Sequence, residues 1–152
     1  ASRGLGDVYK RQVHIPAKKA QFNPCGNQTT ASTRIVKKYI YKGGPVESDQ
    51  LQMGINSVQP GNVWNTIPTH SHKRRVECFM YYGMPEDAFY IEVIGEAKES
   101  RHVILRNEQA IVSAAWQMHF GVGTTHYDFI WAMGGENKDF PDMDVIPMTE
   151  VE

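Results

Sequence analysis

The chain has 152 residues, one domain's worth, with 41% apolar and 22% charged residues, a balance typical of a folded globular protein. Sixteen Lys and Arg against 17 Asp and Glu leave a net charge of −1, so no overall field recruits nucleic acid or an acidic membrane. No apolar run reaches the roughly 18 residues of a membrane span, no secretory signal opens the chain, and two cysteines, Cys25 and Cys78, make no disulfide framework, which fits a reducing, cytoplasmic setting.

Residues 1–12 begin without an initiator Met, and Asp7 to Gln12 read as a translated sequencing adapter, so this leader is expected to be non-native. Residues 13–48 hold Pro16, Pro24, Gly26 and the polar run Asn27 to Thr30, and read as an irregular arm or the remnant of a missing N-terminal half. Within it, Arg34 to Lys42 alternates basic residues with Ile35, Tyr39 and Tyr41, the pattern of an edge strand with a solvated basic face. Gly43-Gly44-Pro45 then breaks the chain.

From residue 49 the pattern is β. Leu51, Met53 and Ile55 alternate before a turn at Gln59 to Asn62. Val76 to Tyr82 reads as a strand, and Met84 to Asp87 as a turn. Phe89, Ile91 and Val93 alternate with Tyr90, Glu92 and Ile94. His102 to Leu105, Ala110 to Ser113, Met118 to Val122 and Tyr127 to Met133 complete about eight short strands, punctuated by Gly121, Gly123, Gly134 and Gly135. No segment carries a helical apolar stripe. Short strands with frequent turns predict a β-sandwich or barrel over 49–152, with the acidic tail from Glu136 wrapping its surface.

The chemistry concentrates in Asn65 to Glu77. His70 and His72 are two apart, so on an extended chain both imidazoles leave the same face and can grip one ion. Glu77 is an odd number of residues past His72, and joins them only if the chain bends at Lys73-Arg74-Arg75. It would then point inward beside Phe79 and Tyr81, where an unpaired carboxylate is costly. His119 is the third imidazole candidate, expected to project opposite Met118, Phe120 and Val122, with Gly121 leaving room beside it. Three His and one Glu suit Zn²⁺, Fe²⁺, Mn²⁺, Co²⁺ or Ni²⁺ rather than Ca²⁺ or Mg²⁺. His14, His102 and His126 read as structural or solvated.

His-X-His-X4-Glu is a variant of the first cupin motif. The run Gly61 to Glu77 resembles the metal-binding segment of the 5-keto-4-deoxyuronate isomerase family. So do Ser100-Arg101-His102, Asn107 to Ala110, His119 to Thr124, Phe129 to Met133, Gly135-Glu136-Asn137 and Asp142-Met143-Asp144. The resemblance runs from about Thr33 to the C-terminus. It implies an all-β cupin, a double-stranded β-helix or jelly-roll barrel. It also implies a cytoplasmic, zinc-dependent ketol-isomerase of pectin and uronate catabolism. Such enzymes interconvert 5-dehydro-4-deoxy-D-glucuronate and 3-deoxy-D-glycero-2,5-hexodiulosonate. Family members have two cupin-like halves and form hexamers, and this chain corresponds to the second half. Position by position, the family's ligands fall on His70, His72, Glu77 and His119. A Pro-X-Gly turn common before the last cupin His is replaced by Ala114 to Met118.

The reaction also needs an acid/base group, left open among His102, Tyr127 and Glu136. The substrate carboxylate wants an Arg, with Arg74, Arg75 and Arg101 as candidates and Trp64 as a pocket wall. The rivals are 5-deoxyglucuronate isomerase of inositol catabolism, a non-haem iron dioxygenase and a non-catalytic sugar-acid-binding cupin.

Overall fold

A computed structural model describes residues 13–152; the leader over 1–12 lies outside the described residues. The strands are β1 (Gln21–Cys25), β2 (Arg34–Ile40), β3 (Leu51–Val58), β4 (Trp64–Ser71), β5 (Val76–Tyr82), β6 (Tyr90–Glu96), β7 (Glu99–Leu105), β8 (Gln109–Ser113), β9 (Met118–Gly123), β10 (Asp128–Gly134) and β11 (Asp144–Val145). They form two antiparallel sheets, ordered β1-β2-β3-β10-β5-β8 and β11-β4-β9-β6-β7. The architecture is all-β, as the strand pattern predicts, and is the cupin barrel that the resemblance implies. No described helix is long and apolar enough to cross a membrane.

The arm is not irregular throughout. β1 and β2 extend the larger sheet, with Cys25 opposite Arg34 and Arg34 opposite Val58. β2 is therefore not an edge, and its basic residues do not form a solvated face: Arg34 is buried beside Val36. β4 escapes sequence reading because its polar residues and Pro68 hide the extended run, which contains cis peptides at Asn65-Thr66 and Ile67-Pro68.

β3 shows why alternation alone does not say which face is inside. Leu51, Met53 and Ile55 face outward, while Gln52, Gly54, Asn56 and Val58 are buried. A Cβ on Gly54 would collide with the Trp131 ring, and Asn56 Oδ1 accepts a hydrogen bond from Trp131 Nε1–H at 3.0 Å. The indole, not the β3 side chains, fills that part of the barrel. The outward apolar set continues in register across Ile130 and Ala132 of β10 and Val76, Cys78 and Met80 of β5.

The interior is aromatic. Phe79, Tyr81, Tyr90, Tyr127, Phe129 and Trp131 are each no more than 3% exposed, and each such burial stabilises by roughly 1.5–3 kcal/mol. Tyr81 of β5 stacks on Tyr90 of β6 with centroids 4.1 Å apart, joining the two sheets. Glu92 lies among them and accepts a hydrogen bond from Tyr81 Oη at 2.6 Å. The tail wraps as expected: β11 pairs with β4, and Glu152 reaches the β6–β7 turn through its N–H to the Ala97 carbonyl.

Candidate metal centre

Three strands from both sheets converge on one point inside the barrel. His70 lies on β4 directly opposite His119 on β9, and Glu77 comes from β5 on the facing sheet. The chain turns between β4 and β5 through Arg74, whose φ of 65° is left-handed, and this turn brings Glu77 back toward the histidines. All four residues are buried: His70 4%, His72 4%, Glu77 7% and His119 2% exposed.

The ligand nitrogens of His70, His72 and His119 lie within 4.8 Å of one another. Glu77 Oε2 is 3.0 Å from His72 Nε2 and 3.3 Å from His119 Nε2. Each ring is also fixed through its other nitrogen, with Nδ1 of His70 at 2.9 Å from the Pro68 carbonyl and Nδ1 of His119 at 3.3 Å from Ser113 Oγ. Nδ1 of His72 faces the Asp142 carbonyl at 3.4 Å, and Arg75 tethers that carbonyl through Nη2, which lies 2.8 Å from His72 Nδ1, and the Asp139 carbonyl through Nη1 at 3.1 Å. Such outer contacts orient metal-binding imidazoles.

The electrostatics favour a cation. Burial and the neighbouring His119 depress His70 to about 4, so its ring is neutral at neutral pH. Burial opposes ionisation of Glu77, but hydrogen bonds from His119 and His72 overcome it and hold the carboxyl at about 2. Burial likewise opposes a charged His119, yet the Glu77 contact keeps its pKa above the ordinary value. Three imidazoles and one permanent carboxylate, dry and convergent, fit a borderline transition ion; oxygen-seeking Ca²⁺ or Mg²⁺ would find one donor of the right kind.

The cluster opens into a cavity of about 220 Å³. The β4–β9 ladder beside it is irregular: Asn65 pairs with Gly121 and His70 with His119, so β4 spends 70 − 65 = 5 residues where β9 spends 121 − 119 = 2. The surplus residues form a bulge, and Thr66, Ile67 and Pro68 within it line the cavity. Phe79, Phe129, Trp131, Met133, Phe140 and Met143 form apolar walls.

Several expected site residues lie elsewhere. His119 projects into the barrel, so the outward face of β9 is the one holding Met118, Phe120 and Val122; Met118 and Phe120 are nevertheless buried. Trp64 is on that outward face, with its ring 6.4 Å from Phe120, and does not line the cavity. His102, opposite Val93, points out and is exposed. Arg101 is 80% exposed beside Glu99, and Arg74 and Glu136 pair with each other on the surface at 3.5 Å. Tyr127 is buried outside the cavity lining, donates to the Val63 carbonyl at 3.2 Å, and burial drives its hydroxyl far above the ordinary pKa, which unfits it as an acid/base group. Arg75 is buried against His72 and does not reach the cavity lining. His14 and His126 are exposed.

Sequence reasoning missed Arg34, Cys25 and Asn56, which do line the cavity. The signal available for Arg34 was its two-residue spacing from Val36, which places both on one face of β2.

The KduI/IolB family description matches residues 6–147. The chain is 46% identical over 138 residues to the 4-deoxy-L-threo-5-hexosulose-uronate ketol-isomerase of Caldicellulosiruptor bescii, covering 91% of this chain and 50% of that protein. It is 45% identical over 138 residues to the protein of the same name from Lacticaseibacillus casei, covering 90% and 49%. The chain thus spans about half the length of the curated relatives it matches. Among solved structures, an IolB-like protein from Salmonella typhimurium shares the fold at a TM-score of 0.70 and 11% identity, covering 85% of this chain and 51% of that one. Bacillus subtilis oxalate decarboxylase does so at 0.63 and 12%, covering 87% and 32%. The chain belongs to the KduI/IolB family.

Proposed function

From that membership we propose that the chain is the metal-binding half of a ketol-isomerase. Its proposed reaction interconverts 5-dehydro-4-deoxy-D-glucuronate and 3-deoxy-D-glycero-2,5-hexodiulosonate in the cytoplasmic breakdown of pectin-derived uronates. The observation that carries the reading is the buried His70–His72–Glu77–His119 cluster opening to a cavity, in a chain whose relatives carry that ketol-isomerase name. The resident ion is zinc, with Fe²⁺, Mn²⁺, Co²⁺ and Ni²⁺ as alternatives. The assembly is a homo-oligomer, a hexamer when the other half is present.

A bound divalent ion supplies Lewis acidity that polarises adjacent carbonyl and hydroxyl groups. The chain's own residues do the rest. The Pro68 carbonyl, the Asp142 carbonyl and Ser113 Oγ fix the three rings, so the donor set is preorganised. Glu77 keeps its negative charge and offsets the positive charge of the ion. The aromatic and methionine walls exclude water from the reacting carbons. A proton must pass between neighbouring carbons. Apart from Arg34 and the four residues of the donor set, the titratable group lining the cavity is the Cys25 thiol, and His102, Tyr127 and Glu136 do not line it.

The test combines elemental analysis of the purified protein with NMR detection of turnover of 5-dehydro-4-deoxy-D-glucuronate. About one divalent transition ion per chain and conversion to the diulosonate are expected. Sugar-acid binding without turnover would instead favour the binding-module reading. Iron content with O₂ uptake would favour a dioxygenase.

A further inference from the structure

The wall of the cavity contains a buried cation with no counter-charge. Arg34 is 7% exposed. Its Nη1 donates to the Ser32 carbonyl at 3.0 Å and its Nη2 to the Ile67 carbonyl at 3.1 Å, both neutral acceptors. A guanidinium has five N–H donors. Two are used, which leaves 5 − 2 = 3, and among them the buried Nε has no partner. Among the described residues, Arg34 forms no ion pair with any carboxylate; the titratable groups that act on it are Cys25 and Tyr127. Arg75, the other buried arginine, also leaves Nε free, but it sits in the field of Glu77, Asp142 and Asp139 and lies off the cavity. Among the described residues, only Arg34 brings an uncompensated charge to the cavity surface, where a dry environment makes such a charge costly without an anion.

We propose that Arg34 is the anchor for the carboxylate of the ligand, taking it through the two Nη–H groups that the Ser32 and Ile67 carbonyls leave free. The proposal rests on the isomerase reading for the identity of the ligand, a monosaccharide-sized, open-chain sugar acid. It sets the ligand's direction in the cavity. With the acid group on Arg34, the rest of the ligand extends along the same cavity, which His70, His72, Glu77 and His119 also line. The apolar surfaces of Phe129, Trp131 and Met133 also line the cavity, and their low polarity strengthens the pairing. The planar fork matters as well as the charge, because two parallel N–H···O bonds fix the carboxylate plane.

The test uses two open-chain probes that differ only at one terminal carbon, D-gluconate with a carboxylate and D-glucitol with a hydroxymethyl group. Zinc-loaded wild type, Arg34→Gln and Arg34→Lys are titrated calorimetrically with each. Wild type should prefer gluconate, Arg34→Gln should lose about tenfold or more of that preference, and Lys should restore only part of it. Binding of glucitol should stay the same in all three. Equal affinity of wild type for both probes overturns the proposal. So does an undiminished preference in Arg34→Gln, which would place the carboxylate on the ion instead. Loss of the bonds to Ser32 and Ile67 can unfold the variants, so the Arg34 Nε–H resonance of wild type is followed as well. Gluconate should move it and glucitol should not; no selective shift also overturns the anchor. Turnover measured on the same samples separates the two readings. Isomerisation without an Arg34-dependent preference sinks the anchor alone, and the preference without isomerisation sinks the isomerase alone.

Discussion

Replacing Glu92 by Gln measures how strongly this interior resists charge. Glu92 is 1% exposed and its Oε2 accepts from Tyr81 Oη at 2.6 Å. Burial outweighs that hydrogen bond and lifts the carboxyl from 4.5 to about 7. Below pH 4.5 the folded and unfolded chains both hold the proton, and stability does not depend on it. Between 4.5 and 7 the unfolded chain has lost the proton while the folded chain keeps it, so stability falls as pH rises. Above 7 the loss is complete. The window of 7 − 4.5 = 2.5 pH units, at about 1.36 kcal/mol each, corresponds to on the order of 3 kcal/mol. Gln keeps an acceptor for Tyr81 and cannot ionise. Glu92→Gln should therefore match wild type near pH 4.5 and exceed it by on the order of 3 kcal/mol at pH 8. Urea unfolding of both proteins across this range, with chelator present to remove ion binding, gives the difference directly. A difference that stays constant with pH would refute the reasoning, because it would mean Glu92 is ionised in the folded interior.

The other outcomes concern the metal centre and the barrel wall. His119→Ala should strip the ion and Glu77→Gln should weaken it, both read by elemental analysis after equal dialysis; full ion content in both would remove these residues from the site. Zinc affinity should begin to fall while the pH is still above 6.5, because His119 must shed a proton that Glu77 helps it hold, whereas His70, at about 4, is already neutral; competition titrations at stepped pH check this. Arg75→Lys should cost about tenfold or more in zinc affinity, since a point charge cannot hold the Asp139 carbonyl together with the Asp142 carbonyl that faces His72, and should leave the gluconate preference intact. Gly121→Ala should lose about 1–3 kcal/mol in chemical denaturation, because the new Cβ would lie 2.6 Å from Tyr90 Oη and collide with the Ile91 carbonyl.

The first three donors of the cluster were legible because their logic is local, whereas His119, on β9, was singled out by its strand and by the resemblance. His70 and His72 need only the two-residue period of an extended chain, and the bend before Glu77 falls where three charged residues interrupt the apolar pattern. The fold class was legible for the same reason, from short alternating runs between turns. Facing was not. Leu51, Met53 and Ile55 look like a core stripe, yet Trp131, arriving from β10 some 75 residues later, claims the inside and leaves Gln52 and Asn56 buried. The arginines misled in a related way. Arg74 and Arg101 stand beside motif residues but point to solvent. Arg34 lies in what reads in the sequence as an irregular arm, and the pairing of β2 with β3 places it beside the buried Val36. Proximity along the chain is a poor guide to a cavity whose walls come from both sheets.

The place of β10 in the larger sheet bears on how the domain forms. It lies between β3 and β5, with Asp128 opposite Ser57 on one side and Tyr82 on the other. Closing the first of these ladders means joining positions 128 − 57 = 71 residues apart, and His70 meets His119 across 119 − 70 = 49. Chains dominated by such distant pairings fold slowly, in about milliseconds to seconds. No short fragment carries the complete donor set, so the disordered chain has nothing with which to seize an ion as a unit. Capture then follows barrel closure, and zinc acts on the finished structure: it should slow unfolding sharply while leaving the rate of folding almost unchanged.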